Sequence, residues 1–442
     1  MGGMWTHYPE LLQRPVPRYT SYPTAADFNE DVGADAFRAA LEKVAPGTPV
    51  SLYVHIPFCE EICWYCGCNT ARSNRRSRLE AYLDALHEEI AMAAEHLGGR
   101  GQVARIAFGG GSPNAIEPLD FVRLLGDIMV AFHAENPLLS IEIDPRHVSA
   151  GWLNVLRAAR VRYASMGVQT FDPKVQQAIG RVQPFHHIER LTGALRDAGV
   201  QSLNFDLMYG LPHQDRAVLM ETLERTIALL PDRVALFGYA HVPNLIARQR
   251  RIDASALPDE KERFAMAEMG HDFLVAHGYQ PVGFDHFARP ADPLAVAARD
   301  HRLHRNFQGF TDDNAEHLIG LGASAISQFP ELYAQNAKNA GVYRTAIAAG
   351  RFPVERGIAR SADSRRRGAL ISDILCHGEG SLPGDLSPAQ AERLEEFEQR
   401  GLIGIGAGRI RLGPDALPYA RTIAAIFDPL MVHKIGGFSA PV

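Results

Sequence analysis

Short apolar strands alternate with amphipathic helices from Val50 onward, and this alternation narrows the possible folds more than any other pattern in the chain. The pattern predicts strands at 50–56, 105–110, 140–144, 163–169, 202–209 and 233–240, with helices near 79–92, 118–133, 149–160, 185–198 and 215–229. Repeated strand–helix units favour parallel pairing, closed or partly closed into a barrel. The predicted fold class is therefore α/β, a partial (β/α)6 barrel.

Polar and glycine-containing signatures follow these strands where each one ends. In chain order they read HIPFC, FGGGSP, EIDPR, GVQTF, DLMYGLP and YAHVP. In parallel barrels the chemistry collects at the carboxyl ends of the strands, because the connecting loops meet there. We therefore expect the functional site at this edge of the sheet.

Two further regions flank the barrel. Residues 14–25 (RPVPRYTSYPTA) are rich in proline, tyrosine and threonine and predict an arm that lies over another part of the protein, followed by a short helix near 34–44. After about residue 300 the strand–helix alternation fades. The predicted division is an N-terminal arm over 1–47, a catalytic domain over 48–335 and a mostly helical C-terminal domain over 336–442.

Charge and hydropathy exclude some classes of partner. The 442 residues include 45 Lys and Arg and 51 Asp and Glu, a formal net charge of −6, with no long basic run. Nucleic-acid binding requires clustered cations, so we expect no nucleic-acid partner. The first 30 residues hold no apolar signal segment and no later stretch approaches a membrane span, which predicts a cytoplasmic protein without a membrane partner.

Four of the five cysteines lie within ten residues, as Cys59-x3-Cys63-x2-Cys66-x-Cys68. Three thiolates on one short loop can hold three corners of a cubane iron–sulfur cluster and leave the fourth iron open. A structural zinc site normally combines two separated pairs of ligands, and the remaining cysteine stands alone. We predict Cys59, Cys63 and Cys66 as cluster ligands, and a zinc site completed by His55 or Cys68 is the alternative.

Motifs around this loop and along the barrel resemble those of the oxygen-independent coproporphyrinogen III oxidases, or coproporphyrinogen dehydrogenases, of the radical S-adenosylmethionine (SAM) superfamily. They are YTSYPTA (19–25), LYVHIPFC (52–59), CWYCGCN (63–69), FGGG (108–111), IDPR (143–146), SMGVQ (165–169), DLMYGLP (206–212), DHFA (285–288), HRNFQG (304–309) and SAISQF (324–329). The motifs occur in order over roughly residues 15–380. The resemblance implies a [4Fe-4S] cluster on the three cysteines and two bound SAM molecules.

The resemblance also implies a set of cofactor contacts at the strand ends. These are Tyr53, Tyr65, Gly109, Gly110, Gly111, Glu142, Gln169, Arg181, Asp206, Ala240 and Ile326. Tyr53, Arg181 and Asp206 among them are also expected in the catalytic set. The residue types suit SAM, since carboxylates accept hydrogen bonds from ribose hydroxyls and an ammonium group, and arginine pairs with a carboxylate.

Some of these positions have simpler interpretations. A charged residue at a strand end is often only solvated, three glycines often form only a turn, and an aromatic ring at Tyr65 would also shield a cluster. The sequence departs from the family directly after the glycines, where Ser112-Pro113-Asn114 replaces the expected Thr-Pro-Thr. Ser112 keeps a hydroxyl, so we interpret the departure as variation.

By resemblance, the activity is anaerobic oxidative decarboxylation of two propionates of coproporphyrinogen III to vinyl groups, giving protoporphyrinogen IX in heme biosynthesis. A 5′-deoxyadenosyl radical would abstract hydrogen from each propionate. The implied partners are coproporphyrinogen III and an unidentified low-potential electron donor, and we expect a monomer. Candidate contacts to the substrate carboxylates are Arg18, Tyr19, Tyr22, Arg305, Asn306 and Gln308.

Three other functions remain open at this stage: a heme-binding chaperone of the same superfamily, a radical SAM enzyme acting on another tetrapyrrole, and a zinc-stabilised binding module. Cys66-Gly67-Cys68 and the YTSYPTA arm are typical of the oxidase and disfavour the chaperone. HRNFQG and the region around Arg181 favour the oxidase over other tetrapyrrole enzymes.

Overall fold

A computed structural model describes residues 5–72 and 75–433 of the chain. Its strands are β1 (Thr48–Ile56), β2 (Phe58–Cys59), β3 (Ala71–Arg72), β4 (Gly101–Gly110), β5 (Leu138–Ile143), β6 (Tyr163–Gln169), β7 (Ser202–Tyr209), β8 (Arg233–Gly238), β9 (Gln280–Val282), β10 (His286–Ala288), β11 (His304–Asn306), β12 (Gly309–Thr311), β13 (His317–Leu321), β14 (Ile326–Phe329), β15 (Leu332–Asn336), β16 (Val354–Ala359), β17 (Glu379–Ser381), β18 (Ile403–Gly406) and β19 (Arg409–Leu412).

The helices are α1 (Pro9–Leu12), α2 (Ala34–Glu42), α3 (Arg76–Leu97), α4 (Pro118–Ala131), α5 (Ala150–Ala158), α6 (Pro173–Ala178), α7 (Phe185–Asp197), α8 (Arg216–Ala228), α9 (Glu260–Ala276), α10 (Pro293–Arg299), α11 (Ala340–Ala348), α12 (Ala362–His377), α13 (Pro388–Gln399) and α14 (Ala420–Ala424). Among the helices of the described ranges, none combines the length and the apolar character needed to cross a membrane.

One large sheet organises the molecule, in the order β16-β15-β14-β13-β1-β4-β5-β6-β7-β8-β10-β9. Strands β1 and β4 to β8 pair in parallel in chain order, and β13 pairs in parallel with the other edge of β1. Antiparallel strands extend both ends, with β14 to β16 beyond β13 and β9 and β10 beyond β8. The six parallel βα units confirm the predicted α/β class and its partial (β/α)6 barrel.

The two faces of the parallel strands differ in chemistry, as β7 shows. Leu203, Phe205 and Leu207 are fully buried, whereas the alternate residues Asn204 and Asp206 line an internal cavity. Because successive side chains of a strand point to opposite faces, one face packs in the hydrophobic core and the other supplies polar groups to the barrel lumen. This polar lumen leads to the candidate site.

Partly buried polar pairs lie at the amino ends of the strands. Arg105 on β4 forms an ion pair with Asp312 at 2.8 Å, and the Ser51 hydroxyl donates to Asp313 at 2.5 Å. Arg233 on β8 pairs with the buried Asp292 at 2.8 Å. Paired charges are tolerated inside a protein, and these side chains line the amino end of the lumen.

Strands after residue 300 were not predicted from the sequence, because β11 to β15 are only three to five residues long and contain many polar residues. The sheet also continues across the predicted boundary at residue 335, since β15 ends at Asn336 and β16 follows. The C-terminal region combines helices with the small antiparallel sheet β17-β19-β18. The division into domains stays a prediction.

The N-terminal arm contacts both the C-terminal region and the sheet. The hydroxyl of the buried Tyr19 donates to Asp428 at 3.0 Å, and Asn29 and Gly357 exchange two backbone hydrogen bonds of 2.8 Å. Arg305 donates from Nε to the Tyr19 carbonyl and from Nη2 to the Arg18 carbonyl, each at 3.0 Å. The arm is therefore fastened along its length.

Candidate active site

The larger of two cavities lies at the carboxyl ends of the parallel strands, and the second extends toward their amino ends. The larger, of about 810 Å³, is lined by predicted site residues that include Tyr53, Gly110, Glu142 and Ile326. The second, of about 370 Å³, lies in the lumen, and Asp206 lines it together with Glu142. Glu142 therefore links the two spaces, and strands distant in sequence converge on one site as expected.

At the end of β1, His55 lies between two hydroxyl groups. Its Nδ1 is 3.1 Å from the Tyr53 hydroxyl and its Nε2 is 3.2 Å from the Ser324 hydroxyl. Burial lowers the pKa of His55 to about 4, so the ring is neutral near pH 7. A neutral imidazole held at both nitrogens fixes Tyr53 on one wall of the larger cavity.

Packing inside the protein requires the three glycines at the carboxyl end of β4. A Cβ at Gly109 would lie 2.8 Å from the Glu142 carboxyl group, and one at Gly111 would lie 2.5 Å from the Phe58 carbonyl. Gly110 has a φ of 112° and faces the His55 ring, where a Cβ would approach to 2.5 Å. This turn packs tightly against its neighbours, and its contact with SAM stays a prediction.

Glu142 and Asp206 supply two carboxylates to the site. The backbone N–H of Gly110 donates to Glu142 at 3.1 Å, and the hydroxyl of Ser165 donates to Asp206 at 2.9 Å. Burial raises the pKa of Asp206. The pKa of Glu142 rises to about 7, because of burial and of the negative charge of Asp206. The Glu142 side chain is nevertheless exposed to the cavity, where a cation or hydroxyl can reach it.

The cysteine loop is anchored to several elements of the barrel. The N–H of Trp64 donates to the Ile179 carbonyl at 3.0 Å, and Gln249 Nε2 donates to the carbonyls of Tyr65 and Ala240 at 2.9 and 3.0 Å. Tyr65 is thus connected to the loop that follows β8. These bonds fix the loop at the mouth of the barrel.

The thiols of this loop are close enough to influence one another. Burial raises the pKa of Cys59 to about 12, and the nearby groups Cys66, Asp144 and Cys63 add to the increase. The positive charge of Arg181 opposes it. A hydrogen bond from Cys68 lowers the pKa of Cys66 to about 6, and the N–H of Cys68 also donates to the Cys66 sulfur at 3.4 Å. Metal coordination deprotonates a thiol outright, so a raised pKa is compatible with ligation.

The arrangement suits an iron–sulfur cluster. Within the described ranges no three His, Cys, Asp or Glu side chains converge on a position where a single metal ion would be held. The thiolates of a cubane bind different iron atoms, so they need not converge. Three cysteines on one anchored loop beside a large cavity fit a cluster with an open iron.

Cys63 is the most enclosed cysteine of the loop, with 6% of its surface exposed. Arg181 Nη1 lies 3.2 Å and Arg146 Nη2 lies 3.5 Å from its sulfur. Both arginines also pair with Asp144, at 3.3 and 2.7 Å. Arg181 is thus directed at a predicted cluster ligand, and its predicted contact with SAM stays a prediction.

Gln169 ends β6 in a left-handed conformation, with a φ of 66°, next to an irregularity in the pairing with β7. Strained residues and bulges concentrate at functional sites, where they redirect a side chain. Gln183 supports the irregularity by donating to the carbonyls of Gly167 and Val168. The cofactor roles of Gln169 and Ala240 stay predictions.

The candidate substrate contacts differ in whether they line a cavity or bond to other parts of the protein. Gln308 lines both cavities, whereas Arg305 is bonded to the arm and Tyr19 to the C-terminal region. Sequence reasoning assigned no role to Arg146, Asp144 or Gln249. The IDPR motif contains two of them and was the available signal, because charged residues directly after a strand lie at the catalytic edge.

Comparison with known proteins places these features in a family. The model of the radical SAM superfamily matches residues 53–226. Oxygen-independent coproporphyrinogen III oxidases from Paracoccus denitrificans and Escherichia coli K12 are each 41% identical to the chain, over 95% of it and over 95% and 93% of their own lengths. The solved coproporphyrinogen III oxidase of Escherichia coli, described as a radical SAM enzyme, superposes with a TM-score of 0.89 at 36% identity, covering 96% of this chain and 99% of that one.

Proposed function

Because this chain belongs to the oxygen-independent coproporphyrinogen III oxidases of the radical SAM superfamily, we propose that it converts two propionates of coproporphyrinogen III into vinyl groups, giving protoporphyrinogen IX for heme biosynthesis. The observation that carries the proposal is that the cysteine loop, through Gly67 and Cys68, lines one cavity together with Glu142 and other polar side chains from the carboxyl ends of the strands. At about 810 Å³, this cavity beside the loop is large enough for organic ligands.

The reaction fixes what the site must provide. Each ring–CH2–CH2–COO⁻ group loses one hydrogen atom from the carbon next to the ring, then CO2, and becomes ring–CH=CH2. One electron remains and passes to an acceptor. The site must therefore hold the propionate beside the hydrogen acceptor, keep water away and give the electron a path out.

The residues fit the two cofactors of the family. Cys59, Cys63 and Cys66 would hold the [4Fe-4S] cluster, and a second set would contact SAM, namely Tyr53, Tyr65, Gly109, Gly110, Gly111, Glu142, Gln169, Arg181, Asp206, Ala240 and Ile326. When bound, the cluster and SAM supply the electron and the organic radical that accepts the hydrogen atom. We propose that two SAM molecules bind and that these residues divide between them.

Glu142 and Asp206 would orient the cofactors rather than transfer protons to substrate. Both carboxylates can accept hydrogen bonds from hydroxyl and ammonium groups, and Asp206 is already held by Ser165 and Asn204. Neutral His55 holds the Tyr53 hydroxyl by its ring nitrogen. Groups fixed in this way position reactants without reorganising during the reaction.

The arm completes the enclosure. Thr20 and Ala25 line the larger cavity, so the YTSYPTA segment forms part of its wall. A cover of this kind excludes water and competing hydrogen donors from a radical site. We also propose a low-potential electron donor, a monomeric enzyme and a cytoplasmic location.

The test is anaerobic turnover of coproporphyrinogen III by reconstituted protein with SAM and a reductant, followed by chromatography. We expect a tricarboxylate intermediate, then protoporphyrinogen, with 5′-deoxyadenosine. Cys63→Ser should abolish both the visible absorbance of the cluster and the activity, whereas Cys376→Ser, outside the loop, should retain both. Formation of 5′-deoxyadenosine with an unchanged porphyrin would contradict the substrate, and activity in Cys63→Ser would contradict the cluster assignment.

A further inference from the structure

Two arginines from different loops converge on one predicted cluster ligand. Arg146 follows β5 and Arg181 follows α6, and both donate to the sulfur of Cys63, at 3.5 and 3.2 Å. Asp144 lies between them and pairs with Arg146 at 2.7 Å and with Arg181 at 3.3 Å. We call Arg146, Asp144 and Arg181 the arginine clamp.

The clamp is rigid because its remaining donors are also engaged. Arg181 donates to the Gly167 carbonyl at 2.6 Å and to Gln183 at 3.1 Å. Arg146 pairs with Glu61 in the cysteine loop at 2.9 Å. The side chains of Arg146, Asp144 and Arg181 are all 6–7% exposed, so their positions are set by packing and not by solvent.

The buried residues of the clamp carry more positive than negative charge. Two guanidinium groups share one buried carboxylate, while Glu61 is 56% exposed and is screened by water. Burial by itself would raise the pKa of Asp144, but Arg181 and Arg146 overcome it and hold this pKa at about 2. Asp144 is therefore ionised, and the buried part of the clamp, two guanidinium groups and one carboxylate, carries a net positive charge beside the sulfur of Cys63.

Hydrogen bonds to cluster sulfurs and nearby charge are two of the factors that set the potential of an iron–sulfur cluster. An N–H donor and a positive charge stabilise the state with the extra electron. We propose that the arginine clamp positions Cys63 and raises the reduction potential of the cluster, so that the electron donor can reduce it. The proposal rests on the proposed function only in requiring the bound cluster.

The test is potentiometric titration of the reconstituted protein, with the reduced cluster followed by electron paramagnetic resonance. For Arg146→Gln we expect the equilibrium constant for reduction to fall at least tenfold, a shift of about 59 mV to more negative potential for one electron. Asp144→Asn removes the compensating charge and should shift the potential in the opposite direction. Arg123→Gln is the matched control, because Arg123 is 66% exposed on α4. The cluster in this variant should have the same reduction potential as in the wild type.

Two variants with opposite signs separate electrostatic tuning from general damage to the fold. Unchanged potentials in cluster-loaded Arg146→Gln and Asp144→Asn would overturn the inference. If Arg146→Gln loads no iron, the Asp144→Asn variant decides alone. A cluster potential in Asp144→Asn that equals that of the wild type, or is more negative, overturns the inference. A wild-type protein that binds no cluster would instead overturn the proposed function, so the two failures are distinguishable.

Discussion

Glu89 on α3 is a fully buried carboxylate that takes no part in the proposed chemistry. It accepts hydrogen bonds from the Gly322 N–H and the Asn336 amide at 2.6 Å and from the Tyr343 hydroxyl at 2.7 Å. Next to it, the Tyr82 hydroxyl donates to the His55 carbonyl at 2.7 Å. This group of side chains holds the turn after β13, whose Ser324 reaches the site.

Burial raises the pKa of Glu89 to about 7, against its three hydrogen bonds. The pKa of this carboxyl group is near 4.5 in the unfolded protein and higher in the folded protein. Its contribution to stability is therefore fully present below pH 4.5 and is lost as the pH rises through the pKa of the folded state. Between pH 5 and pH 8 the wild type should therefore lose roughly 3 kcal/mol of unfolding free energy relative to Glu89→Gln.

Denaturant titration of the cofactor-free protein across this pH range measures the effect. Glu88→Gln is the matched control, since Glu88 is the exposed neighbour on the same helix. Its unfolding free energy should follow that of the wild type at every pH. Parallel profiles for Glu89→Gln and the wild type would contradict the assignment of a raised pKa.

The six barrel strands and five of their helices are predicted from periodicity, because each is long enough to repeat its pattern. The helices α6 and α9 have no counterpart in the prediction. β7 matches its predicted range of 202–209, and α7 ends at Asp197, one residue before the prediction. The short strands β11 to β15 hold too few residues for a period to be recognised. Contacts such as that of Arg146 with Cys63 leave no periodic signal either, since loop conformation brings together residues 83 positions apart.

Gly110 ends β4 and packs against the site. Gly110→Ala places a methyl group against His55 and forces alanine into a φ of 112°, so we expect a loss of about 1–3 kcal/mol of stability and weaker SAM binding. Thermal unfolding and equilibrium SAM binding measure the two effects.

Gly126→Ala is the matched control, because Gly126 lies inside α4 with open space around it. Replacing a helix glycine by alanine should stabilise the protein by about 0.5–1 kcal/mol and leave SAM binding unchanged. Equal behaviour of the two variants would show that the turn is not tightly packed.

At the scale of the molecule, the arm joins the barrel mouth to the C-terminal region. Arg305 supplies two of its bonds and stacks on Phe310, with its guanidinium carbon 4.3 Å from the ring centroid. Loss of two charge-assisted hydrogen bonds costs about 1.5–3 kcal/mol each, less what water restores. Arg305→Gln should therefore accelerate amide hydrogen exchange in residues 14–25 by about tenfold or more.

Hydrogen exchange read by mass spectrometry gives the protection of the arm directly. Arg302→Gln serves as control, since Arg302 is 50% exposed and pairs with Asp300 at the surface. If residues 14–25 exchange at the same rate in Arg305→Gln as in the wild type, Arg305 does not hold the arm in place.

In the proposed reaction, the propionate carbon next to the ring loses a hydrogen atom and the carboxyl group then leaves as CO2. The most direct test uses coproporphyrinogen III carrying deuterium at those carbons, in ordinary water, with SAM and a reductant. We expect 5′-deoxyadenosine that contains one deuterium, formed together with the vinyl product. Vinyl product accompanied only by unlabelled 5′-deoxyadenosine would contradict the account.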